Sequence, residues 1–96
     1  MIVDVGIVEL LSTRVAVAFV DSVWLCPGPG DELLQSVGIR FRHLSPAPLM
    51  LYSEDGRGYA PFQAHEFAKR IRRADVTDWF VIDTELAEYE YMPMPF

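Results

Sequence analysis

Hydrophobic positions crowd the front of the chain and thin into alternation further along. Residues 2–11 and 14–26 are rich in Val, Ile, Phe and Trp and flank the polar pair Ser12-Thr13. This pattern predicts two strands joined by a tight turn. Neither strand alternates cleanly. Val3, Val5 and Ile7 lie on one face of the first, yet Ile2, Val8 and Leu10 lie on the other. In the second, Val15, Val17 and Phe19 oppose Ala16, Ala18 and Val20. Strands apolar on both faces belong in a sheet covered on both sides, by the chain itself or by a partner.

Pro27-Gly28-Pro29-Gly30 then breaks the pattern. Asp31 is expected to N-cap a short helix over residues 31–37, with Gly38 ending it. Residues 39–44 alternate, Ile39, Phe41 and His43 against Arg40 and Arg42, which predicts a half-exposed strand. Residues 45–48 form a connector and 49–52 a strand, and Asp55-Gly56 marks a hairpin that returns at Tyr59 and Ala60. Pro61 suits the start of the principal helix, residues 61–74, whose apolar stripe is Ala64, Phe67, Ala68 and Ile71. Trp79-Phe80-Val81-Ile82 predicts a buried strand. The expected fold is therefore α+β. One small domain over residues 1–96 holds an antiparallel-rich sheet with an N-terminal hairpin, one principal helix and one short helix.

Composition changes little in that expectation but excludes several classes. An apolar content of 51% with a single cysteine rules out a disordered chain and a disulfide scaffold. A net charge of −6 argues against a generally basic nucleic-acid binder. The placement of that charge says more. Residues 1–74 carry eight basic and eight acidic side chains and are neutral. Residues 75–96 add Asp75, Asp78, Asp83, Glu85, Glu88 and Glu90, with no Lys or Arg. Four of the eight cations, Lys69, Arg70, Arg72 and Arg73, stand immediately before this acidic end. Such asymmetry is a clue to partners.

Asp4, Glu9, Arg14 and Asp21 interrupt the apolar start, so no 18-residue uncharged run is available to a membrane. The positive n-region of a secretory signal is also missing. A soluble, cytoplasmic protein is expected, with Cys26 reduced.

Standard catalytic signatures are absent, and neither cofactor nor metal is expected. His65-Glu66 begins like a zinc motif, but Lys69 stands where the second His belongs. The Pro-Gly-Pro-Gly turn is a poor phosphate cradle, because proline donates no N–H. Cys26 with His43 or His65 has the residue types of a nucleophile and base, and a small enzyme centred on Cys26 or His65 is the alternative function. A thiol ending an apolar strand more often packs a core. Arg40, Arg42, Lys69, Arg70, Arg72 and Arg73 are candidates for phosphate contact and weak nucleic-acid binding, although helix C-terminal capping accounts for the cluster at 69–73.

The acidic end is the strongest functional candidate. Asp83, Glu85, Glu88 and Glu90 interleave with Tyr89, Tyr91 and Met92, side chains that favour interface cores. An acidic rim around them would steer a basic partner. The structural alternatives are an edge strand and a short helix capped by Thr84. The expected function is a non-enzymatic inhibitor or adaptor that covers a basic surface of another protein. Phages and mobile elements are one setting for small inhibitors of this kind, anti-CRISPR proteins among them. The two-sided strands further predict a homodimer or a stable complex.

Overall fold

A computed structural model describes residues 1–10, 12–60, 68–87 and 90. The α+β expectation is met by a five-stranded mixed sheet and one main helix. Strand β1 (Ile2–Leu10) turns through Ser12, at φ 65°, into β2 (Thr13–Phe19), giving the N-terminal hairpin. A 3-10 turn at Ser22–Trp24 leads to helix α1 (Pro29–Phe41). Strand β3 (Leu49–Tyr52) follows, then β4 (Gly58–Tyr59) and finally β5 (Asp78–Asp83). The strands lie in the order β4-β3-β2-β1-β5. All neighbours are antiparallel except β2 and β3, which α1 joins by a crossover.

The two-sided strands are explained within the chain. On one face Val3, Val5, Ile7, Ala16 and Ala18 pack under Leu33, Val37 and Phe41 of α1. On the other, Val8, Val15, Val17, Met50 and Tyr52 pack under Ala68 and Ile71. Fully burying each of the larger side chains is worth about 1.5–3 kcal/mol, so both layers matter to stability. Much of both faces of β1 and β2 thus finds cover within the chain.

Several expected boundaries are corrected. The strand expected over residues 14–26 ends at Phe19, and Trp24 and Leu25 turn back to pack beside α1. The short helix of residues 31–37 runs instead from Pro29 to Phe41, so the strand expected at 39–44 does not form. Leu33, Val37 and Phe41 recur every four residues and make one buried stripe. Phe41 also meets Phe80 edge-on, with ring centroids 5.4 Å apart. Burying Phe41 outweighs the roughly 1 kcal/mol cost of Gly38 inside the helix. Asp31 is not the N-cap. Gly28 takes that position, and Asp31 accepts the Gly28 N–H from one turn inside.

Of the principal helix expected at 61–74, residues 61–67 lie outside the described residues, and in the described remainder only Ala68 is α-helical. Lys69 and Arg70 form a turn, Arg72 is extended, and Arg73–Asp75 make a 3-10 turn. Arg72 and Arg73 therefore do not lie in the last turn of an α-helix. Geometry supplies the reason. The Tyr52 hydroxyl donates to the Ile71 carbonyl at 3.4 Å, which places Ile71 beside β3, while β5 lies three strands away. That span is about 14 Å, and seven helical residues would cover only about 10 Å. Val76 then packs flat on β1 at Gly6, where an added Cβ would stand 2.7 Å from Val76 Cγ1.

The hairpin at Asp55-Gly56 forms as expected, with Gly56 at φ 94°. Among the described residues, no helix is long and apolar enough to cross a membrane.

Gly6→Ala is expected to destabilise the protein by about 1–3 kcal/mol through overpacking, and adding Val76→Ala should recover part of the loss. Urea denaturation of the two single variants and the double variant measures this. A Gly6→Ala protein as stable as the parent would contradict the packing described.

Candidate functional site

Register decides which side of each strand reaches solvent. In the β1–β5 pair, Val3 lies opposite Ile82 and Val5 opposite Phe80, on the α1 side. The other side carries Ile2 opposite Asp83, Asp4 opposite Val81 and Gly6 opposite Trp79. The segment 68–76 covers this second face only as far as Gly6 and Phe19. Beyond it Ile2 is 69% exposed, Val81 61% and Trp79 45%. The run Trp79-Phe80-Val81-Ile82, expected as a buried strand, is thus a half-exposed edge strand in which Ile82 alone is fully enclosed.

Carboxylates stand around this patch. Asp83 and Glu85 lie 4.0 and 3.6 Å from the Met1 amino group, and Asp83 Oδ1 also accepts the Glu85 N–H at 2.9 Å. Asp78, at the opposite end of β5 and on the α1 side of the sheet, has Arg14 at 3.9 Å in an exposed pair of little energetic weight. Next to Ile2 opens a cleft of about 490 Å³ whose lining includes Asp4, Asp21, Glu54 and Asp55.

Arg73 also lines that cleft. The Arg73 guanidinium lies 5.0 Å from the Phe19 ring and 4.8 Å from the Trp79 ring. It donates to Glu54 at 2.9 Å and stands 3.9 Å from Asp4. Phe19 meets Trp79 and Tyr52, with ring centroids 5.3 and 5.6 Å away. Arg73 thus clamps the segment 68–76 across the sheet. The sequence-based reading of Arg73 as a phosphate contact missed this partnership, because no sequence spacing links residue 73 to residues 4, 19 and 54.

The other candidate cations are dispersed. Arg40 donates through Nε to the Leu86 carbonyl at 2.8 Å and through Nη1 to the Ser36 carbonyl at 2.6 Å, tying α1 to the chain after β5. Arg42 follows α1, and both belong to the α1 side. Lys69, Arg70 and Arg72 are exposed near the opposite face. The sheet therefore separates the two basic groups instead of uniting them.

Cys26, half-buried, donates its thiol weakly to the Val23 carbonyl at 3.6 Å. His43 lies past the far end of α1, about 20 Å along a 13-residue helix, so these two form no nucleophile–base pair. His65 lies outside the described residues, as do Glu88, Tyr89, Tyr91 and Met92. Glu90 is exposed. Thr84 does not cap a helix, since its backbone N–H and its hydroxyl both donate to the Met1 carbonyl. Among the described residues, no group of three or more His, Cys, Asp or Glu is placed to hold a metal ion.

Comparison with protein-family models, with curated proteins and with solved structures gives no match. Function must therefore be read from the surface itself.

Two further polar knots have structural roles. The Tyr59 hydroxyl donates to Asp31 at 2.7 Å, which with the Gly28 N–H lowers the Asp31 pKa and raises that of Tyr59. This contact fastens the start of α1 to β4. At the hairpin, Arg57 and then Ser53 donate to Asp55 and lower its pKa to about 2. Asp55 therefore stays ionised on the cleft rim at any ordinary pH.

Arg73→Ala should lower stability by about 1–2 kcal/mol, the sum expected of exposed cation–π contacts and ion pairs, and should change Trp79 fluorescence. Arg73→Lys should fall between the two. Equal denaturation midpoints for all three proteins would mean that the clamp contributes nothing.

Proposed function

We propose that this protein acts without catalysis, by binding a basic surface of another protein as an inhibitor or adaptor. The observation that carries this reading is the exposed apolar patch of Ile2, Trp79 and Val81 with carboxylates at its borders. Apolar side chains flanked by charge of one sign fit a partner whose apolar contacts are ringed by the opposite sign. Asp4 and Asp83 share the sheet face of the patch, and Glu85 continues it toward the acidic end of the chain. Carboxylates also suit a surface that ordinarily holds phosphate, because both present oxygen acceptors to Arg and Lys. The length of α1 separates Cys26 from His43, so the enzymatic alternative, centred on Cys26 or His65, would have to work without that pairing.

Affinity capture with the intact protein, at low and at high salt, tests this reading. The captured protein should be basic and should be released as salt rises. The variant with Asp83→Asn, Glu85→Gln, Glu88→Gln and Glu90→Gln should associate about ten-fold more slowly, since rim charges act mainly on the on-rate. Unchanged association in that variant would refute the proposal.

A further inference from the structure

Arg73 and the seat it occupies come from different parts of the fold. Asp4 on β1 lies opposite Phe19 on β2, and Gly6, on the same face as Asp4, lies opposite Trp79 on β5. Asp4, Phe19 and Trp79 therefore share one face of three adjacent strands. Tyr52 on β3 holds the Phe19 ring edge-on, at an interplanar angle of 87°. Glu54 joins them from the turn between β3 and β4. The seat thus belongs to the sheet and its hairpin. Its occupant comes from the irregular segment, where the 3-10 turn Arg73–Asp75 follows extended Arg72.

Together these groups specify a guanidinium. Arg73 Cζ lies 5.0 Å from the Phe19 ring and 4.8 Å from the Trp79 ring. Glu54 accepts from Nη1 at 2.9 Å, and Asp4 stands 3.9 Å from Nη2. A planar cation can stack on a ring while donating to carboxylates around its edge, whereas an ammonium has no plane to stack. The seat is also within reach of a partner. The Arg73 side chain remains 52% exposed, and the seat borders both the patch of Ile2, Trp79 and Val81 and the cleft of about 490 Å³. Exposed ion pairs hold weakly, so an incoming side chain of the same chemistry can displace Arg73.

We infer that Arg73 is a resident stand-in for an arginine of the partner, held in cis where that arginine docks. This deepens the partner-binding reading above and rests on it, naming the side chain that the basic surface contributes. On docking, the incoming guanidinium lies over Phe19 and Trp79 between Asp4 and Glu54, and Arg73 turns out to solvent. Arginine is among the commonest anchors of interfaces, and a seat of this kind is what it needs. Arg73 is then an autoinhibitory contact, because only molecules with the seat vacated can bind.

The test uses the full-length protein and N-acetyl-arginine methylamide, followed by the NMR signal of the Trp79 indole N–H. Arg73→Ala should bind this compound about ten-fold more tightly than the parent protein, since its seat is always vacant. Arg73→Gln removes the charge but keeps most of the stem, and should behave likewise even if the alanine variant folds poorly. N-acetyl-citrulline methylamide has nearly the same shape without the charge, and should bind both variants about ten-fold more weakly than the arginine compound. Equal binding of the arginine compound by parent and variants, or no shift of the Trp79 signal in any of them, would overturn the inference. Equal binding of the citrulline and arginine compounds would overturn it as well, by showing apolar contact alone. The capture experiment above judges the broader reading separately.

Discussion

Two-sided burial of β1 and β2 is the constraint from which the rest of this molecule follows. Val3, Val5 and Ile7 need one cover, and Val8, Val15 and Val17 need another. Helix α1 supplies the first and the segment around Ala68, Ile71 and Val76 the second. The crossover between parallel strands β2 and β3 places α1 on its face. The need to cross three strands on the other face keeps residues 72–77 from remaining helical. Arg73, wedged over Phe19 and Trp79 between Asp4 and Glu54, marks the limit of that second cover.

What lies past Arg73 is the surface of interest. Ile2, Trp79 and Val81 remain open because they sit on the last strands of the sheet, beyond the reach of the covering segment. The acids of the chain's end enter the structure at this same border through Asp83 and Glu85. The function proposed thus arises from the place where the chain runs out of cover for its own sheet.

Much of this was legible in sequence. Val/Ile enrichment identified β1 and β2, the apolar run Leu49–Tyr52 identified β3, Asp55-Gly56 identified the hairpin, and double-sided apolarity required a sheet covered twice. Residues 39–44 misled, because Ile39, Phe41 and His43 alternate like a strand although Phe41 also completes a four-residue spacing with Leu33 and Val37. Tertiary burial of that stripe decided in favour of helix. Trp79-Phe80-Val81-Ile82 was correctly a strand and incorrectly buried, since position within a sheet is a long-range property. The acidic end was visible as charge, whereas its juxtaposition with Ile2 depended on pairing between residues about 80 apart in sequence.

Residue-resolved hydrogen exchange of the free protein measures the central asymmetry directly. Amides of β1 and β2 should exchange most slowly, at the rate of global unfolding, while alternate amides of β5 exchange orders of magnitude faster. Uniform protection of all six β5 residues, equal to that of β1, would show that the outer edge is already occupied and would contradict the account.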